Sequence, residues 1–176
     1  MAINDALRRA KPLKLMIFDV DGVMTDGTLY FSARGEELKA FNILDGHGLK
    51  MLRESGVETA ILTARKSAIV ERRAQELGIA NVRQGVTNKL EGFFELLAHC
   101  RCAAGEAGYA GDDVVDLPVL TRCGFAASVP NAVTIVKSRA HLVTQANGGH
   151  GAVREICEFI MSAQGTLDAA LAPYLA

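Results

Sequence analysis

The stretch around residues 13–20 constrains the fold more than any other. Leu15, Met16, Ile17, Phe18 and Val20 make a short run that is apolar on both faces of an extended chain, and the run ends among Asp19, Asp21 and Gly22. A strand of that kind has to be covered from both sides, which suits the centre of a parallel sheet. The remaining chain supplies covers in alternation. Residues 28–31 and 37–41 flank a Gly-containing connection and read as a β-hairpin. A helical pattern starting at Gly48 stops at Gly56, and residues 57–62 read as a second buried strand ending at Thr63. Next come a helix over 67–77, a strand over 81–84, a helix over about 89–100, and a Gly/Ala-rich strand over 108–111, placed by its position just before Asp112 and Asp113. A helix after Asp113, strand candidates at 125–129 and 141–144, and a helix from the 148–151 glycine turn to about 163 complete the pattern. Strands alternating with helices predict a three-layer α/β fold, Rossmann-like, around a mostly parallel sheet. With no linker, repeat or charge block in 176 residues, one domain over 1–176 is expected, with a hairpin at about 27–42 and a tail from about 166.

Composition excludes several classes. The chain is 49% hydrophobic, enough for a core, and its formal net charge is −1, which argues against a whole-surface grip on nucleic acid. No window approaches the roughly 18 consecutive apolar residues of a membrane span, and the first residues lack an apolar stretch of signal-peptide length, so a cytoplasmic address is expected. Cys100, Cys102, Cys123 and Cys157 show no C-x-x-C pair and read as free thiols; Cys100 and Cys102 beside His99 lack the second ligand pair of a zinc site.

In a parallel sheet, ligands bind at the carboxyl ends of the strands. The residues expected there are Asp19 and Asp21, Thr63, and Asp112 and Asp113, with Lys89 opening a helix between the last two groups. Clustered carboxylates repel one another without a cation, so the grouping itself points to one. Taken in order, Asp19-Val20-Asp21-Gly22-Val23, Thr63, Lys89 and Gly111-Asp112-Asp113-x-x-Asp116 closely resemble the four motifs of the haloacid dehalogenase superfamily of phosphotransferases. The resemblance spans nearly the whole chain. It implies a phosphatase that uses Asp19 as nucleophile, forming an aspartyl-phosphate. Asp21, held about 7 Å along the same face, would protonate the leaving alkoxide and later deprotonate the hydrolytic water. Thr63 and Lys89 would hold the phosphoryl oxygens. It also implies Mg²⁺ on Asp19, the Asp21 carbonyl and Asp112. Asp113 and Asp116 would support that centre, or cap the following helix.

Larger members of the superfamily insert a cap domain between the first and second motifs or between the second and third. Asp19 to Thr63 spans 44 residues and Thr63 to Lys89 spans 26, filled by a hairpin, two helices and two strands, so no cap fits. Something else must exclude water from the pocket. The segments 35–42, 45–48, 87–89 and 148–155 resemble the capless branch containing the phosphatases of 3-deoxy-D-manno-octulosonate (KDO) 8-phosphate, which serve lipopolysaccharide synthesis. That branch is tetrameric, hairpins associating and neighbouring subunits completing each site. It implies substrate contacts at Asp21, Asn42, Ile43, Leu44, Asp45, Gly46, Lys50, Arg65, Arg73 and Lys89. Arg65 and Arg73 suit the carboxylate of a sugar acid. Two departures from the branch stand out: Ala64 replaces a frequent Gly, and His150 sits where relatives carry a basic residue. The same motifs also fit a phosphatase for the 9-phosphate of a nonulosonic sugar. A non-catalytic phospho-receiver fits poorly, because its acidic pair is adjacent and precedes its lysine.

Overall fold

The computed structural model describes residues 3–35 and 37–175. Glu36, part of the hairpin motif, and Ala176, the end of the expected tail, lie outside the described residues. The central strand β1 (Leu15–Phe18) pairs in parallel with β4 (Glu58–Leu62) on one side and β6 (Ala107–Ala110) on the other. Beyond β4 lies β5 (Asn81–Arg83); beyond β6 lie β7 (Phe125–Ser128) and β8 (Leu142–Val143). All the pairings in this six-stranded sheet are parallel.

Side chains alternate along β1, and the two faces have separate cores. Met16 and Phe18 pack with Ala6 and Ala10 of α1 (Ile3–Ala10), Leu49 and Leu52 of α2 (Ile43–Glu54), Val70 of α3 (Ala68–Leu77) and Ile156 of α7 (Ala152–Gln164). Leu15 and Ile17 face the other way, onto Phe93 and Leu96 of α4 (Lys89–Cys100), Val119 of α5 (Leu117–Leu120) and Val136 of α6 (Thr134–Lys137). Both faces of β1 are therefore covered, as its two-sided apolar run requires. The hairpin is a separate two-stranded antiparallel sheet, β2 (Tyr30–Phe31) and β3 (Glu37–Leu38). Between β1 and β4 the described residues hold only a single turn at Val20–Met24, this hairpin and α2, and between β4 and α4 only α3 and β5, so neither interval contains a cap. No helix among the described residues is long and apolar enough to cross a membrane.

Several boundaries differ from the sequence reading. The first strand stops at Phe18, because the chain turns at Asp19 into a wide loop closed by the Thr25 N–H on the Val20 carbonyl at 3.0 Å. Helix α2 starts at Ile43 rather than at Gly48. Asn42 caps it, its Oδ1 accepting from the Leu44 N–H at 2.8 Å, and Gly46 and Gly48 sit inside the helix. Gly46 is there for space: a Cβ would lie 2.4 Å from the Arg73 guanidinium. Helices α1, α6 and α8 (Leu167–Leu171) lacked a periodic signal long enough to detect. All four cysteines are unpaired.

Candidate active site

Chain order reverses at β1, whose neighbours are β4 and β6, and a crevice opens at the carboxyl ends of strands at such a switch point. A pocket of about 180 Å³ lies there, lined by Asp19, Asp21, Thr63, Arg65, Lys89 and Asp112 among others. Asp19 is the residue after β1. Its N–H donates to the Ala110 carbonyl, and its Oδ1 accepts from the Val20 N–H at 2.8 Å, which fixes the carboxylate. Its Oδ2 meets Lys89 Nζ at 2.7 Å. Lys89 is the first residue of α4, behind the cap Asn88, and is almost wholly buried. Thr63, also buried, follows β4, its N–H bonded to the Arg83 carbonyl.

Asp116 is the hub of the site. It is fully buried, with Oδ1 accepting from Lys89 Nζ at 2.5 Å and from the Tyr109 hydroxyl at 2.6 Å. Its Oδ2 accepts from the backbone N–H groups of Asp112 and Asp113 at 2.9 and 3.0 Å. It thereby holds both the lysine and the loop that carries Asp112. Asp113 is exposed and caps its own turn, accepting from the Val114 N–H. Burial works against the Lys89 ammonium, but Asp19 and Asp116 outweigh it and raise its pKa. Burial, with help from Asp116, pushes Asp19 up to about 6. Burial, then Asp19 and Asp116, push Asp112 up to about 7.

Carboxylate oxygens of Asp19, Asp112 and Asp116 lie within 4.8 Å of one another. Both Asp116 oxygens already accept hydrogen bonds, whereas Asp112 Oδ1 is buried without a partner. An all-oxygen cluster with an orphaned carboxylate oxygen fits a hard divalent cation. Gly22 makes room for the Asp112 carboxylate: its φ is +94°, and a Cβ there would strike Asp112 Oδ2 at 2.0 Å.

These shifts make stability depend on pH. In the metal-free protein Asp19 and Asp112 have folded pKa values near 6 and 7, above the ordinary 3.8. Their contribution to stability is therefore full below about pH 4 and lost as pH rises through 6 to 7. Mg²⁺ competes with those protons, so the rise in Tm on adding Mg²⁺ is expected to be larger at about pH 8 than at about pH 5. Calorimetry with and without the cation checks this; an equal rise at both would contradict it.

The residues implied as substrate contacts do not all gather in this pocket. Arg65 lines it, with Nε 3.8 Å from Asp21 Oδ2. Ile43, Gly46, Lys50 and Arg73 instead line a second pocket of about 210 Å³ with His47. Arg73 lies over the Phe41 ring at 5.8 Å and donates to the Asn42 carbonyl at 3.4 Å. Leu44 is exposed, and Asn42 is the α2 cap. The Asp45 carboxylate is buried at the start of α7, accepting from the Arg154 N–H at 2.8 Å, and its pKa is raised by burial.

The sequence reading passed over Tyr109 and Asn131. Tyr109 carried a signal, a large aromatic in an otherwise Gly/Ala strand just before the acidic loop. Asn131 carried none; its side chain joins the Gly22 carbonyl to the Gly148 N–H, tying the glycine turn to the loop after β1.

This fold and this acid, lysine and threonine arrangement define a capless hydrolase of the haloacid dehalogenase superfamily. The chain is 44% identical over 167 residues to the 3-deoxy-D-manno-octulosonate 8-phosphate phosphatase of Yersinia pestis, covering 95% of this chain and 89% of that protein. It belongs to the 3-deoxy-D-manno-octulosonate 8-phosphate phosphatase family. Among solved structures, a probable YrbI family phosphatase from Pseudomonas syringae superposes with a TM-score of 0.96 at 52% identity, covering 98% of each chain. The Moraxella catarrhalis 3-deoxy-D-manno-octulosonate 8-phosphate phosphatase, in complex with magnesium, phosphate and KDO, gives a TM-score of 0.96 at 40% identity, covering 98% of this chain and 99% of that one. No family model matches the chain.

Proposed function

We propose that this protein is a Mg²⁺-dependent phosphatase that hydrolyses KDO 8-phosphate to KDO and phosphate, in the making of lipopolysaccharide precursors. One observation carries the reading: a fixed carboxylate at the end of the central strand faces a cation-ready acidic pocket with its other oxygen on a buried lysine. The Moraxella relative with magnesium, phosphate and KDO bound supports the choice of metal and substrate.

Asp19 attacks phosphorus; its bond to phosphorus forms as the bond to the sugar oxygen breaks, and Asp21 gives that oxygen its proton. Asp21 then takes a proton from the water that attacks the aspartyl-phosphate, which releases phosphate and restores Asp19. Thr63 and Lys89 hold the phosphoryl oxygens. Bound by Asp19, Asp112 and the Asp21 carbonyl, Mg²⁺ supplies the positive charge that offsets repulsion between carboxylate and phosphate. Asp116 supports that centre through Lys89 and the loop backbone, while Asp113 caps the turn that follows.

The unit is a cytoplasmic homotetramer of single domains spanning 1–176. Two features support it: Tyr30, Phe31 and Leu38 of the hairpin are exposed at 52%, 62% and 66%, and Ile43, Gly46, Lys50 and Arg73 sit apart from Asp19. In a tetramer that second group, with Asn42, Leu44 and Asp45 near it, completes a neighbour's site, while Arg65 serves its own.

A panel of sugar phosphates assayed with and without Mg²⁺ tests the substrate. KDO 8-phosphate is expected to give the highest kcat/KM, with activity lost on chelation. Faster hydrolysis of a nonulosonate 9-phosphate would move the assignment to that sugar.

A further inference from the structure

The hairpin is inside out. Leu38 and the rings of Tyr30 and Phe31 point to solvent, while the Lys39 side chain is only 1% exposed. A hairpin lysine ordinarily keeps its ammonium in water. Here Lys39 Nζ bonds Asp21 Oδ1 and lies 3.1 Å from Glu37 Oε1, so two carboxylates offset the cost of burying the charge. Oδ1 of Asp21 is therefore occupied. Its Oδ2 points toward Arg65, whose Nε is 3.8 Å away on a side chain 47% exposed, a far looser contact.

We propose that Lys39 is a positioning residue for the acid–base step: it locks Asp21 by Oδ1 and leaves Oδ2 as the oxygen that exchanges the proton with the leaving group. The inference rests on the reading of Asp21 as the acid and base. The extended backbone at Asp21 (φ −75°, ψ 113°) does not fix the side-chain rotamer. The ammonium does, and the lysine arrives on the hairpin rather than on the sheet that carries the rest of the site.

Leaving groups separate positioning from mere anchoring. An alkoxide needs a proton as the P–O bond breaks, whereas p-nitrophenolate leaves without one. K39M and K39R are to be compared with the unaltered protein on KDO 8-phosphate and on p-nitrophenyl phosphate, both with Mg²⁺. K39M is expected to lower kcat/KM, which reports the steps up to leaving-group departure, about 10- to 100-fold more on the alkyl ester than on the aryl ester, part of the contribution a general acid makes. K39R, which keeps the charge, is expected to shift the ratio in the same direction by less. Both esters are read on the same folded molecules, so a reduced folded fraction leaves the ratio unmoved; if K39M does not fold, K39R carries the test. D21N is expected to shift the ratio at least as far as K39M. If D21N leaves it unchanged, the acid–base reading of Asp21 fails. If D21N shifts it and neither Lys39 variant does, Lys39 only anchors the hairpin and the inference is overturned.

Discussion

Replacing Asp19 with Asn is expected to lower kcat by roughly 10⁴-fold or more, the scale on which loss of a covalent nucleophile acts. An amide cannot form the acyl phosphate, so rapid quenching of labelled substrate should recover no phosphoprotein from the variant and a labelled Asp19 peptide from the unaltered protein. The fold should survive. Asp19 sits where burial and Asp116 both oppose its charge, and its loss leaves Lys89 still paired with Asp116. A Tm close to that of the unaltered protein would therefore separate lost chemistry from lost structure. Activity within about tenfold of normal would rule out Asp19 as nucleophile.

Lys89→Met should be the more damaging change to stability. It removes the one cation within ion-pair distance of both Asp19 and Asp116 among the described residues, and breaking a buried pair from one side costs about 3–5 kcal/mol. For a domain of this size that corresponds to a fall in Tm of roughly 6–20 °C. The fall should shrink as pH drops below about 6, because Asp19 is already inclined to take up a proton there. Mg²⁺ should recover part of it by bringing another positive charge to Asp19. Thermal unfolding at two pH values, with and without the cation, checks all three statements. A variant as stable as the unaltered protein at neutral pH would mean that Lys89 is not compensating those carboxylates.

Much of this architecture was legible in the sequence, for a physical reason. A strand buried on both faces must be apolar throughout, so the polar residues that end it mark where the sheet meets its ligand; Asp19, Thr63 and Asp112 could be placed on that ground. Helix α2 was misjudged at its start because Gly46 and Gly48 look like turn residues until Arg73 beside the first and Arg154 beside the second are seen in the space a side chain would need. Nothing local showed that the Asp45 carboxylate caps a helix that begins more than a hundred residues later. Lys39 carried no signal of its own in the sequence. The alternation along β3 said which residues share a face, but not which face would be covered, since that depends on where the loop after β1 carries Asp21.

Asp116 gathers an ammonium, a phenol and two backbone amides onto one carboxylate, from α4, from β6 and from the loop after β6. Groups sharing one partner do not change independently. A second substitution among Asp19, Tyr109, Lys89 and Asp116 is made in an environment the first has already altered. Tolerance measured one position at a time will therefore misstate which pairs of residues this fold accepts there, and sequence drift at the centre should proceed by linked exchanges rather than by single steps.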